Sequence, residues 1–195
     1  METAVLIAAG WTSGINAYLT VLILGLAGRL GWSDGPAGLQ STPVLLVCGL
    51  MFAIEFVVDK VPLADNAWDL VHTAVRPAVG ALVGSAIAGA QLGRPQAALL
   101  GASLAIVAHL SKASTRLAIN ASPEPLSNIA ASLTEDGVVA TLMVLAVTHP
   151  WVAAGISVVA MVVFAVVAVL LLSLARRGYR MVRRGLGRPR PSAAG

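Results

Sequence analysis

The residues able to do chemistry in this chain are few and unevenly spread. Glu55 and Asp59 stand four apart, with Lys60 beside them. Asp65, Asp69, His72 and Arg76 then recur at i, i+4, i+7 and i+11, and His109, Lys112 and Arg116 fall at i, i+3 and i+7. Each spacing places its side chains on one face of a helix. A further polar group, Asn120, Glu124, Asn128, Glu135 and Asp136, follows close behind. Carboxylates interleaved with lysine, arginine and histidine have three uses. They relay protons or bind a cation, they hold an anionic group on the bases, or they pair with one another as structural clamps. Asp65, Asp69 and His72 also offer the donor types of a two-carboxylate-plus-histidine metal site. That spacing is generic for an amphipathic helix, and no His-Glu-x-x-His pattern accompanies it.

Lipid-embedded helices must position these groups. The chain has 195 residues, of which 57% are hydrophobic and 11% charged. A soluble domain carries roughly 25% charged residues, and the mean hydropathy here is +0.85. Apolar runs at 3–27, 43–58, 77–92, 97–119, 133–148 and 152–175 approach the roughly 20 residues that cross a bilayer. The expected fold is all-α, a polytopic membrane helix bundle of about six spans. One transmembrane domain fills 1–175, and a basic tail over 176–195 is expected to be disordered. The N-terminal run has no positively charged leader, so the first helix should stay in the mature protein.

Seven of the thirteen basic residues sit in that tail, directly after the last apolar run. Such a run opposes anionic headgroups on the cytoplasmic face; nucleic acid is not the expected partner. Counting back through six spans puts both termini inside, together with Lys60, Arg76, Lys112 and Arg116, and leaves Arg29 and Arg94 outside. Arginine outnumbers lysine eleven to two in an Ala- and Gly-rich chain, which suits a bacterial inner membrane. Cys48, the single cysteine, is expected to be a packing residue. No P-loop, dinucleotide fingerprint or serine nucleophile occurs, so no cofactor is expected.

Prolines break both polar segments. After Pro62, the Asp65–Arg76 face is backed by Ala64, Trp68, Val71 and Val75, which predicts an amphipathic helix at the interface or packed under the bundle. Pro77 suits the first turn of the next span. In "INASPEPLSNIAASLTEDG", Leu126, Ile129, Ala130 and Leu133 fall at helical spacing. Aligning Pro62 with Pro125 also matches Leu63 with Leu126, Ala67 with Ala130 and Leu70 with Leu133, and sets Asp65 opposite Asn128. This is a possible internal repeat, and transporters often build their sites from broken helices at matching positions of two repeats. If the second and fourth spans touch, Glu55 with Lys112 or Asp59 with Arg116 would form buried ion pairs. In "GWTSGINAY", Thr12, Ser13, Asn16 and Tyr18 are positioned to line a cavity, and Gly10 and Gly14 permit a break or a close crossing.

"GWTSGINAYLTVLILGLAGRLG", "EFVVDKVPLADNAWDLVHTAVRP" and "HLSKASTRLAINASPEPLSNIAASLTED" together resemble a family of small bacterial membrane proteins, domain of unknown function 4126. The resemblance covers about residues 8–150. It implies one membrane domain and brings no established activity. A looser likeness is to cation transporters with a duplicated Glu-x-Gly-Asp-Lys-Ser/Thr motif, but Glu55, Asp59 and Lys60 have a different spacing. The functional expectation is a small transporter or ion- or proton-coupled carrier. Its polar site lies near the cytoplasmic side and takes a small ion or an anionic substrate. The alternatives are a structural or partner-binding subunit and an enzyme acting on lipid headgroups, and a homo-oligomer would suit any of these readings.

Overall fold

The computed structural model describes residues 1–89, 91–120 and 125–186. Among these, the regular structure is helical: α1 (Glu2–Ile15), α2 (Ala17–Arg29), a 3₁₀ turn (Ala37–Gln40), α3 (Thr42–Val58), α4 (Pro62–Ile87), α5 (Arg94–Asn120), α6 (Pro125–Thr148) and α7 (Pro150–Leu186). Segments 64–87, 94–119, 126–148 and 150–167 are long and apolar enough to cross a membrane, and α3 is a shorter apolar helix.

The predicted first span is two helices. Asn16 leaves helical geometry at φ −142° and ψ 98°, and its side-chain oxygen accepts from the Leu19 amide to cap α2. At 1.5 Å per residue each arm is about 20 Å long, short of the roughly 30 Å hydrocarbon core. The arms do not run in line. Met1 and Val5 line the same cavity as Leu24 and Trp32, so α2 returns to the end from which α1 set out. The pair is a splayed hairpin with Asn16 at its tip. Ile87 and Pro150 line that cavity too, so α4 finishes and α7 starts at the Met1 end. The α3–α4 turn lies at the opposite end. α7 runs from the Met1 end toward Leu186 at the other.

α1 is the central element. It packs on α4, α5, α6 and α7, and Ala4, Leu6, Ala8, Ala9 and Trp11 are almost fully enclosed. The close crossing expected of Gly14 is present: a Cβ there would strike the Ala105 carbonyl and come within 2.6 Å of the Ala108 methyl. Small residues let helices approach where lipid supplies no hydrophobic drive between them. The break itself falls at Asn16, not at Gly10 or Gly14.

Three further boundaries differ from the sequence reading. Pro77 starts no new helix; it lies inside α4, which runs unbroken from Pro62. It removes one intrahelical N–H, a loss that membrane helices absorb when neighbours pack closely, as α5 does here. Likewise α6 carries the Leu126–Leu133 stretch and the apolar run after it as one helix. α7 also continues past 175 to Leu186, into the stretch expected to be a disordered tail; residues 187–195 lie outside the described residues. The outer faces are apolar, with Leu70 76% and Val71 62% exposed, while the charged face of α4 points inward. That is inside-out relative to a water-soluble bundle, and it settles the two placements of the amphipathic helix in favour of packing within the bundle.

Candidate functional site

The charged side chains gather beside the hairpin tip. Arg76 on α4 is fully buried. Its Nη2 donates to Glu55 Oε1 at 2.8 Å, and its Nη1 donates to Asp69 Oδ1 at 2.8 Å and to His109 Nδ1 at 2.7 Å. A guanidinium only donates, so His109 Nδ1 accepts and the ring proton sits on Nε2. Thr73 Oγ1 gives its own proton to the Asp69 carbonyl and receives from His109 Nε2 at 3.0 Å. Those contacts fix a neutral His109 without further assumption.

Lys112 on α5 stands at the tip itself. Its Nζ lies 2.7 Å from Asp59 Oδ2, 3.5 Å from Glu135 Oε2 and 3.6 Å from Glu55 Oε1, and it donates to the Ile15 carbonyl at 3.3 Å. Ile15 is the last residue of α1. A cation against a helix C-terminus is the favourable end of the helix dipole. Across the tip, Asn16 Nδ2 donates to Asp136 Oδ1 at 2.9 Å. One turn further along α5, Arg116 meets Glu135 Oε2 at 2.6 Å, Asn128 Oδ1 at 2.7 Å, Asp59 Oδ2 at 3.7 Å and Asp65 Oδ2 at 3.8 Å. Asn128 Nδ2 closes the arrangement by donating to the Asp59 carbonyl at 2.9 Å.

Both ion pairs expected from sequence, Glu55–Lys112 and Asp59–Arg116, are present, but as the longer contacts at 3.6 and 3.7 Å. The short ones are Arg76–Glu55, Arg76–Asp69, Lys112–Asp59 and Arg116–Glu135. Of the other expected residues, His72 is buried but sits at the edge of the network. Its Nδ1 donates to the Trp68 carbonyl, its Nε2 faces the Tyr18 hydroxyl at 2.9 Å, and its ring stacks on Trp68. Among the described residues no group of three His, Cys, Asp or Glu side chains is placed to hold a metal ion. The Asp65–Asp69–His72 metal arrangement is thus not formed: Asp65 faces Arg116, and Asp69 is engaged by Arg76. Lys60 lies at the rim, over the Phe56 ring and 3.5 Å from Ser132 Oγ. Asn120 ends α5, and Glu124 lies outside the described residues. Cys48 is buried in the hydrophobic core, as a packing residue should be.

Sequence reasoning missed Thr73, which fixes His109, and the Ile15 carbonyl, which a side-chain pattern cannot reveal. It also missed Trp11, whose indole Nε1 is buried without a hydrogen-bond partner beside a cavity of about 20 Å³ shared with Lys112 and Glu135.

Charge is unequal across the network. Glu55, Asp59, Asp65, Asp69, Glu135 and Asp136 face Arg76, Lys112 and Arg116, with Lys60 at the rim. Glu55 Oε2, Asp59 Oδ1, Asp69 Oδ2 and Asp136 Oδ2 are buried and accept no hydrogen bond. A set of enclosed carboxylates larger than its set of cations attracts positive charge.

No curated protein and no solved structure matches the chain. A family model does, over residues 3–173, which spans the hairpin, the whole charge network and most of α7. The residues that build this site are therefore those of a single recognised domain, and the chain belongs to the family described as domain of unknown function (DUF4126).

Proposed function

We propose that the protein is a small membrane carrier that binds and moves protons, or couples their movement to a substrate, at the hairpin tip. The observation behind this reading is the charge balance. Among the described residues six carboxylates stand against four cations even when Lys60 is counted, an excess of negative charge that attracts cations, the proton among them. Intramembrane ionisable groups of this kind are read by default as functional sites. A helix broken beside the network supports the reading further, because its two ends present a carbonyl to a cation and amides to an anion.

In the bilayer, α3 to α7 make five crossings and the hairpin dips in from the Met1 end. The positive-inside rule places the Lys60 end in the cytoplasm with the basic end of α7, and the Met1 end outside with Arg29 and Arg94. A bacterial inner membrane fits the composition. Pro62 and Pro125 begin α4 and α6 at the same end, which favours a parallel repeat of two helical hairpins, α3–α4 and α5–α6.

The test is proton movement in proteoliposomes. Purified protein is sealed into liposomes with an internal pH-sensitive dye, and a potassium diffusion potential is applied with valinomycin. Wild type should acidify the lumen faster than protein-free liposomes, and Glu55→Gln and Asp59→Asn should remove the difference. Flux no greater than in protein-free liposomes refutes the reading.

One observation favours a second reading. Each network cation pairs with carboxylates from at least two elements, so α3, α4, α5 and α6 are tied together at one level. A purely structural clamp would show that pattern, and its variants would lose stability with no flux to lose.

A further inference from the structure

The open mouth of the hairpin holds a cavity that the charge network does not use. It lies at the Met1 end, between the two arms, with a volume of about 510 Å³. That falls within the roughly 300–1,000 Å³ of small-molecule sites. Val5 on α1, Leu24 on α2, Ile87 at the end of α4 and Val147 near the end of α6 give it apolar walls. Glu2 and Asp34 also line it, beside Met1 with its positively charged amino terminus, and no described lysine, arginine or histidine does. The apolar wall suits a hydrocarbon or aromatic body, and the two carboxylates suit a positive group.

We propose that this cavity receives an amphiphilic organic cation, with its apolar body against Val5, Leu24, Ile87 and Val147 and its positive centre toward Glu2 and Asp34. The inference deepens the carrier reading and rests on it for one step: it names the class of substrate whose movement the tip carboxylates would couple to protons. Two independent features agree on the sign of the charge. Among the described residues the cavity has two acidic side chains against the one Met1 amino terminus, and the network below has more carboxylates than cations. An anionic substrate, one of the expectations from sequence, would meet the same sign of charge at both places.

The probe is tetraphenylphosphonium, with tetraphenylborate, an anion of the same shape, as the control. Binding to the purified protein in detergent is followed by equilibrium dialysis, and by quenching of Trp32, which lines the cavity. The expected result is one saturable site per chain for the cation and none for the anion. The pair Glu2→Gln and Asp34→Asn should weaken binding about five-fold, as expected for partly exposed charges. Ala86→Trp, which fills the cavity from the end of α4, should abolish it, and Ser33→Trp fills it from the loop should the first variant fail to fold. Equal binding of the two probes, or cation binding unmoved by either filling variant, overturns the proposal. Its failure is separable from that of the carrier reading. Proton flux without cation binding removes this inference alone. Cation binding without proton flux removes the carrier and leaves the cavity as a binding site.

Discussion

Arg76→Met is the perturbation whose size the structure fixes best. The guanidinium and its partner Glu55 are both fully buried, with Asp69 6% exposed. Methionine keeps the unbranched stem and removes the charge. Glu55 and Asp69 then lose their only short cationic contacts among the described residues, and His109 Nδ1 loses its donor. Breaking a buried pair by removing one partner costs about 3–5 kcal/mol, because the other charge stays enclosed and uncompensated. For a chain of this size, 1 kcal/mol moves Tm by about 2–4 °C, so the single variant should melt on the order of 10 °C lower in detergent. The triple variant Glu55→Gln, Asp69→Asn, Arg76→Met removes all three charges together. Neutral replacement of a whole buried network is often close to neutral, so most of the loss should return. Thermal unfolding followed by circular dichroism reads both. A single variant within about 1 kcal/mol of wild type, the range of exposed pairs, would mean that water reaches the site. A triple variant no better than the single would mean that Arg76 acts through its shape, not its charge.

Three other outcomes follow from the hairpin. Asn16→Ala removes the cap on the Leu19 amide and the donor to Asp136; the cap alone is worth about 1 kcal/mol, so melting should fall by at least that much, and an unchanged Tm would show that the break is held elsewhere. Gly14→Leu pushes a side chain into the Ala105 backbone and should cost about 1–3 kcal/mol or more, with Gly14→Ala milder; a neutral Gly14→Leu would mean that α1 is not seated on α5 as described. Single cysteines at Glu2, Ser33 and Val61, in a Cys48→Ala background, should label with an impermeant maleimide from one side for the first two and from the other side for the third. Labelling of Glu2→Cys and Ser33→Cys from opposite sides would turn the hairpin into a crossing.

The side-chain pattern and the backbone path differ in how far sequence discloses them. The inward faces of α4 and α5 were legible, because i, i+4 and i, i+7 spacings report a helical face whatever surrounds it. Chemistry named which charges were complementary, so the Glu55–Lys112 and Asp59–Arg116 contacts could be expected before the fold was known. What spacing does not carry is which of several near neighbours comes closest. Arg76 takes Glu55 because α4 runs back alongside α3 from the turn after Asp59. The proline read as a boundary because the rule against interior proline comes from water-exposed helices, whereas tight packing in lipid relaxes it. The hairpin was harder still. A run of 25 apolar residues is long enough to cross, and only Asn16, a polar residue with an affinity for cap positions, hints that it turns back. The return of α2 is decided by its packing on α3 and α6, contacts far apart in the chain.

Glu135 separates carrier from clamp better than any other residue. Its side chain is 16% exposed, whereas those of Glu55, Asp59, Asp65, Arg76, Lys112 and Arg116 are exposed by 3% or less. It also touches both Lys112 and Arg116, so it stands where the network meets its surroundings. In Glu135→Gln, Arg116 keeps Asn128, the Asp59 carbonyl and Asp65, and Lys112 keeps Asp59 and the Ile15 carbonyl. The stability loss should therefore be small, about 1 kcal/mol for a partly exposed pair, well below that of Arg76→Met. Glutamine cannot take up and release a proton. If protons pass through the tip, flux in the proteoliposome assay should fall about 100-fold, within the range lost with a proton-transfer group, in a protein that melts nearly as wild type does. A clamp predicts the reverse ordering, with any functional loss tracking Tm across the variants. Wild-type flux in Glu135→Gln would remove it from the pathway, and would leave the more enclosed Asp59 and Glu55 as the carboxylates that any proton must reach from the Met1 end.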